Sequence, residues 1–491
     1  MTGTTMHSTR ASRGSRVSRW GLRVACLATV LLVTACNDSN TPKPPEPTQP
    51  PKPKTSMIPS LVTNAMAADA PAAASAPAAS AATSAASAPA ASASEPAAKA
   101  SSATVAPTSA PASQAPSELI TRGKYLARAA DCAACHTSAD GAPFAGGVPL
   151  KSPFGTFYGT NITPDKTNGI GGWTADEFYR ALHDGVAPDK VLYPAMPYTS
   201  YRQMTRADSD AIYAYLMSVK PAAVPNRKHD LSFPYNMRFA MRAWDWMFLK
   251  DTLPDASKGQ SADWLRGRYL ANALGHCAEC HTPRGTFGQL DKAKPLGGAA
   301  LARIAAPDLT PDALAARGWT VKDLQTFFGT GIAPQGSAFG EMYPVVHLST
   351  QYLTGDDLRA LSTYLLGDAP PAPKPLPEHP DTSKLMAGRN LYLAVCAGCH
   401  AADGTGKPHV AVSMLGNSTV RQKDPRNLIV TILDGVEAQK FPGLEAMQDM
   451  PGFDRRLTDA QISELSNYLR VAYGGQAGDV NSEIVKQLRQ K

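Results

Sequence analysis

The apolar residues of this chain fall at helical spacing in three stretches that end alike. Arg122–Thr137 (RGKYLARAADCAACHT) aligns with Arg266–Thr282 (RGRYLANALGHCAECHT), and Ala387–His400 (AGRNLYLAVCAGCH) is a third, looser copy. Each opens with a glycine, spaces its apolar side chains along one helical face and finishes in two cysteines, two residues apart, followed by a histidine. The pattern predicts a helix that delivers the motif, three times over. Downstream, Thr160–Asp165 (TNITPD) answers Ala306–Asp312 (APDLTPD), and Gly172–Phe178 (GWTADEF) answers Gly318–Leu324 (GWTVKDL). Each unit closes with an apolar helix that starts at a threonine followed by first-turn acids, at Thr205, Thr354 and Thr458, a helix-start signal. A Tyr-Leu pair near each end (Tyr215-Leu216, Tyr364-Leu365, Tyr468-Leu469) suggests one packing role used three times.

These periodicities predict an all-α chain of three tandem domains, at residues 117–225, 261–368 and 384–475. Residues 226–260 form a connector whose Phe233–Lys250 stretch (FPYNMRFAMRAWDWMFLK) is the most aromatic run in the chain. Packing between domains is the favoured reading, since large exposed apolar patches are uncommon on soluble surfaces; docking a partner protein or the membrane is the alternative. Residues 369–383 are a proline-rich, semi-rigid linker, and 476–491 read as a short polar tail.

The N-terminal part has a different pattern. Five arginines and no acid precede the apolar run Val24–Ala35, so residues 1–35 read as a secretory signal too short for a confident membrane span. The run ends in VTAC, which resembles a bacterial lipoprotein signal and makes Cys36 the expected lipidation site. Residues 36–116, mostly Ala, Pro, Ser and Thr, offer almost nothing to bury and read as a disordered tether. Removing the five signal arginines lowers the formal charge from +7 to +2, so a nucleic-acid partner is not implied.

The chemistry lies in the cysteines. Of eight, Cys26 lies in the signal and Cys36 at its end; the other six are Cys132, Cys135, Cys277, Cys280, Cys396 and Cys399, all in the motifs. A structural zinc site wants four ligands and each repeat lacks a second cysteine pair. A thioredoxin-like pair needs a βαβ context that the helical repeats do not offer. Cys-x-x-Cys-His is the attachment signature of c-type haem: two thiols reach two vinyl groups across one helical turn, and the histidine falls under the iron. Three haem c groups are therefore expected, with His136, His281 and His400 as proximal ligands. Because methionine is the usual second ligand, Met196 (AMPY), Met342 (EMYP) and Met450 (DMPG) are the expected partners, 60, 61 and 50 residues after their histidines. Met447 rivals Met450; Met204, Met217 and Met414 read as packing residues. With both axial positions filled, the chain carries electrons, and catalysis falls to a partner.

The segments GKYLARAADCAACHT, NITPD, GIGGWTADEFYRAL, GHCAECHTPRG, MPGF and LTDAQISELSNYLR together resemble the tri-haem cytochrome c subunit of membrane-bound alcohol and gluconate dehydrogenases, over roughly residues 117–475. The resemblance implies a periplasmic dehydrogenase of flavin, pyrroloquinoline quinone or molybdenum type as electron donor, and ubiquinone or a downstream cytochrome or oxidase as acceptor. It implies a non-catalytic subunit held on the periplasmic side of a bacterial membrane, here through a lipid anchor. Two other functions stay open: a stand-alone electron-carrier lipoprotein, and a multihaem peroxidase with a vacant ligand position, for which the third site is the candidate.

Overall fold

The computed structural model describes residues 116–249, 253–254, 256 and 259–490. The expected signal peptide, Cys36 and the tether up to residue 115 lie outside the described residues.

Each expected domain is built on two crossing helices. Pro116–Ala129 crosses Arg206–Ser218, Ala262–Tyr269 crosses Gly355–Leu366, and Met386–Val395 crosses Asp459–Gly474. The opening glycines set these crossings. A Cβ on Gly123, Gly267 or Gly388 would collide with the backbone oxygen of Ala211, Ala360 or Glu464 respectively, so the helices approach as closely as backbone allows. The same glycines sit against the Cβ atoms of Tyr215, Tyr364 and Tyr468, at 2.7–2.8 Å from where a glycine Cβ would lie. The leucine after each tyrosine is buried, at 1–3% exposure. The repeated Tyr-Leu pair is thus the closing helix's half of one crossing.

Thr205, Thr354 and Thr458 cap the closing helices by accepting from the backbone N–H of Asp208, Asp357 and Gln461, each cap typically worth about 1 kcal/mol. One difference between the repeats is a single extra residue before the second motif. A π turn over Leu270–Leu274, with the N–H of Gly275 donating to the carbonyl of Leu270, absorbs it. The second motif therefore still emerges at the helix end.

Strands are few and short. Pro149–Ser152 and Gly155–Tyr158 pair antiparallel, and Asp230–Leu231 adds a third strand beside the latter; the other pairs are two or three residues long. The all-α expectation thus gains a small β-meander, and the connector's first residues belong to the first domain's sheet.

The buried side chains of the first two domains merge into one apolar cluster, whereas the third domain has its own. Two expectations need correcting. The aromatic connector is not buried between domains: no residue of its helix Met241–Phe248 is buried, and Phe233, Phe239 and Trp246 are 78%, 75% and 85% exposed. Polar tethers hold it from one side, with Tyr198 donating to Asp245 at 2.8 Å and Trp244 Nε1 donating to the carbonyl of Phe287 at 2.9 Å; Phe248 rests on Phe287 on that side, while Phe233, Phe239 and Trp246 face outward. The polar tail is a folded part of the third domain. Asn481 caps a helix over Ser482–Arg489, Val480 and Val485 are buried, and Arg489 bonds Asp459. The proline-rich linker is stapled at Lys374, whose N–H donates to Ala315 and whose carbonyl accepts from Arg421. Among the described residues no helix is long and apolar enough to cross a membrane.

Candidate functional site: three Cys-x-x-Cys-His turns

Each motif forms a short helical turn: Cys132–His136, Ala278–His281 following Cys277, and Ala397–His400 following Cys396. The residue before the first cysteine is left-handed in the first two domains (Asp131, φ 52°; His276, φ 39°). That kink turns the chain out of the opening helix and starts the motif in a new direction. The third motif follows its opening helix without such a kink.

The histidines share one geometry. His136 Nδ1 lies 2.6 Å from the carbonyl of Thr160, His281 Nδ1 2.7 Å from that of Pro307, and His400 Nδ1 3.1 Å from that of Val412. A carbonyl only accepts, so Nδ1 carries the proton in each and Nε2 keeps its lone pair. Such an Nδ1–H to carbonyl bond is the outer-shell contact that orients metal-binding histidines. Burial lowers all three pKa values below the ordinary histidine value, against the raising effect of the carbonyl bond. Neutral imidazole, the ligating form, is thus favoured before any metal arrives.

The six cysteines are unpaired thiols. Burial pushes Cys132, Cys135, Cys277 and Cys396 up to about 12, with Asp131 adding to the rise at Cys132 and Cys135. A redox-active pair needs at least one lowered thiol pKa, whereas both thiols are raised in the first two turns, so a thioredoxin-like role does not fit them. A bare-metal site fits no better: among the described residues no three His, Cys, Asp or Glu side chains converge to hold an ion. Two unpaired thiols beside an imidazole with a free Nε2 are the donor set that covalent haem requires, so the residues fit that group.

The methionines divide. Met196 and Met342 are half-buried against the cluster shared by the first two domains, and Met450 is half-buried against the third domain's cluster. Met450 stands on a strand paired with Val436. Met447 pairs with Gln439 and is not among the side chains packed on that cluster. Met204 is core; Met217 and Met414 pack on the clusters.

Sequence reasoning missed the carbonyl acceptors at Thr160, Pro307 and Val412. The repeats Thr160–Asp165 and Ala306–Asp312 were the available signal for the first two, since they bracket the acceptor; for Val412 the third copy offers none.

A family model described as cytochrome c matches residues 120–220 and 385–472. The chain is 38% identical over 400 residues to the cytochrome c subunit of a quinone alcohol dehydrogenase from Komagataeibacter europaeus, covering 76% of this chain and 85% of that one. It is 37% identical over 401 residues to the fructose dehydrogenase cytochrome subunit of Gluconobacter japonicus, covering 75% and 82%. Against the gluconate 2-dehydrogenase cytochrome c subunit of Pantoea cypripedii it is 37% identical over 403 residues, covering 77% and 90%.

Proposed function

This chain belongs to the family of cytochrome c subunits of alcohol, fructose and gluconate dehydrogenases, and from that premise we propose that it is a tri-haem relay. It takes electrons from a periplasmic dehydrogenase subunit and passes them to ubiquinone or the respiratory chain. The observation that carries this reading is the threefold recurrence of one donor set: an unpaired cysteine pair followed by a histidine whose Nδ1–H is locked to a backbone carbonyl.

In this reading Cys132 and Cys135, Cys277 and Cys280, and Cys396 and Cys399 hold the three haems as thioethers. His136, His281 and His400 would ligate the iron through Nε2, and Met196, Met342 and Met450 would each supply a thioether sulfur as the second protein ligand. Haem iron held between imidazole and thioether exchanges single electrons at a raised potential. The protein's own contribution would be to fix the imidazole plane through the Nδ1–H bonds, exclude water by packing and offer both ligands.

We further propose that residues 1–35 export the chain and that Cys36 carries the lipid that holds it at the periplasmic face of the membrane, with residues 36–116 as tether. A Cys36→Ser variant should release the protein from membranes and abolish fatty-acid labelling.

The test of the relay reading is detergent extraction from the native host. It combines haem-to-protein ratio, reduced-minus-oxidised and near-infrared spectra, and mass spectrometry of co-purifying chains. Three low-spin, methionine-ligated haems beside a dehydrogenase subunit are expected. A lone cytochrome with a high-spin haem would overturn the reading.

A further inference from the structure

The first two domains are joined by a contact that is written twice, once in each direction. In the first domain Asp208, 5% exposed, accepts from its own opening helix through Arg122 at 2.5 Å and from the second domain through the Tyr269 hydroxyl at 2.5 Å. In the second, Asp357, 8% exposed, accepts from its own Arg266 at 2.8 Å through two nitrogens and from the first domain through the Tyr125 hydroxyl at 2.5 Å. The equivalence runs to the backbone: Thr205 N–H donates to the Tyr269 hydroxyl at 3.1 Å and Thr354 N–H to the Tyr125 hydroxyl at 3.3 Å. Arg122 and Arg266, Tyr125 and Tyr269, and Asp208 and Asp357 are corresponding positions of the repeat. Residue i contacts j while j contacts i, as in an isologous dimer interface, here within one chain.

This exchange places each domain's methionine segment against the other's motif. The motif turn Cys132–His136 lies against the helix Met342–Leu348, and Tyr198–Tyr201, just after Met196, lies against the π turn Leu270–Leu274. Thr199 donates to Glu279, inside the second motif, at 2.7 Å, and the Tyr201 ring meets His276 edge-on at 5.7 Å. The third domain is tied on differently. Its bonds to the rest include Arg303 of the second domain to Asp434, Asn427 to Ala305, and Tyr343 to Lys440, and these run to the middle domain.

We propose that the reciprocal clamp holds the first and second haem sites as a directly exchanging pair, with Asp208 and Asp357 as its positioning residues and the second site as the link to the third. The inference rests on the tri-haem reading. The step is a one-electron transfer: one iron is oxidised as the other is reduced, with no proton or bond rearrangement. Tunnelling falls steeply with separation, so the rate depends on how the two domains are seated on each other; the shared apolar cluster joins them and the reciprocal polar contacts fix their register.

The test uses the full haem-loaded chain. Less than one electron per molecule is injected photochemically, and time-resolved absorbance follows redistribution among the haems. The unmodified protein should show a fast phase from the pair and a later phase to the third site. Asp208→Asn with Asp357→Asn should lose the fast phase while haem content and reduced spectrum stay unchanged, and Asp208→Glu with Asp357→Glu should restore it. Arg303→Ala should leave the fast phase and slow the later one. A fast phase that survives the double Asn variant, or that Arg303→Ala removes equally, overturns the proposal. Should the double Asn variant lose haem, Tyr125→Phe with Tyr269→Phe keeps both Arg–Asp pairs and removes only the cross-domain bonds; an unchanged fast phase there overturns it. Fewer than three haems in the unmodified chain would instead count against the tri-haem reading, and is read separately from the rate.

Discussion

The first two domains and the third solve the same packing problem and then part company. All three cross an opening and a closing helix on a glycine, and all three lock the motif histidine to a carbonyl. Yet the first two share one apolar cluster and a reciprocal polar clamp, while the third keeps a separate cluster and is attached through arginine contacts and a stapled linker. The scaffold of a motif turn is therefore local and repeatable, whereas the relation between the turns is set at interfaces that the repeat does not specify. Two copies of one surface can pair with themselves; a third must find a different surface.

The largest effects should come from the helix crossings, and they should separate pair from third. Gly388→Val in the third domain and Gly267→Val in the second both drive a side chain into backbone, with an expected loss of about 3 kcal/mol or more. Calorimetry and haem content should show Gly388→Val losing the third haem alone, and Gly267→Val disturbing both members of the shared cluster. Loss of all three haems in both variants would erase the distinction. Next in size is the proposed ligand of the third site. Met450→Ala should abolish one of the three methionine signatures in the near-infrared and lower one midpoint potential, while Met447→Ala leaves both intact. The reverse outcome would hand the ligand role to Met447.

The clamp itself should show a smaller cost. Arg266→Ala leaves Asp357 buried with only the Tyr125 hydroxyl, and losing a bond to a charged group typically costs about 1.5–3 kcal/mol. The partial exposure of Arg266 argues for the lower end. Chemical denaturation should show that loss in the transition of the pair.

Acid should act on the first domain. Burial lowers the His229 pKa, with Arg238 and Lys190 adding to it, and His229 Nδ1 accepts from the N–H of Tyr158 at 3.1 Å, which requires an unprotonated Nδ1. Its folded pKa lies below the unfolded value of about 6.5. The stabilisation is thus complete above that value and is lost as pH falls through the depressed one. Thermal melts between pH 7.5 and 5 should show a small decline that His229→Asn removes. The smallest effect belongs to Trp246→Ala, a surface change expected to stay within about 0.5 kcal/mol, where a buried connector would have cost several times more.

Much of this molecule was legible without coordinates because its signals are local. Periodicity placed the opening and closing helices, threonine followed by acids placed the starts of the closing ones, and cysteine spacing with the adjacent histidine marked the three motif turns. Even the Tyr-Leu pairs announced a shared contact, though not that the contact was with Gly123, Gly267 and Gly388. The misreadings share a cause. Val480 and Val485 are two apolar residues in a polar stretch, too few to signal a buried helix, and they are buried because the tail helix packs against both Asp459–Gly474 and Arg426–Asp434. Trp246 and Phe239 read as core by composition, but composition cannot tell which side of a segment meets the protein.

The sequence by itself determined the number of repeats, their helices, the Cys-x-x-Cys-His turn in each and the family to which the chain belongs, because a helical turn brings residues four apart together whatever surrounds it. Only the tertiary structure decided which carbonyls hold the histidines, that Met450 rather than Met447 rests on the core, and that Tyr125 and Tyr269 reach across to Asp357 and Asp208. Those contacts join residues 12 to 232 positions apart. No local pattern encodes them, since they depend on how whole domains present their surfaces to one another.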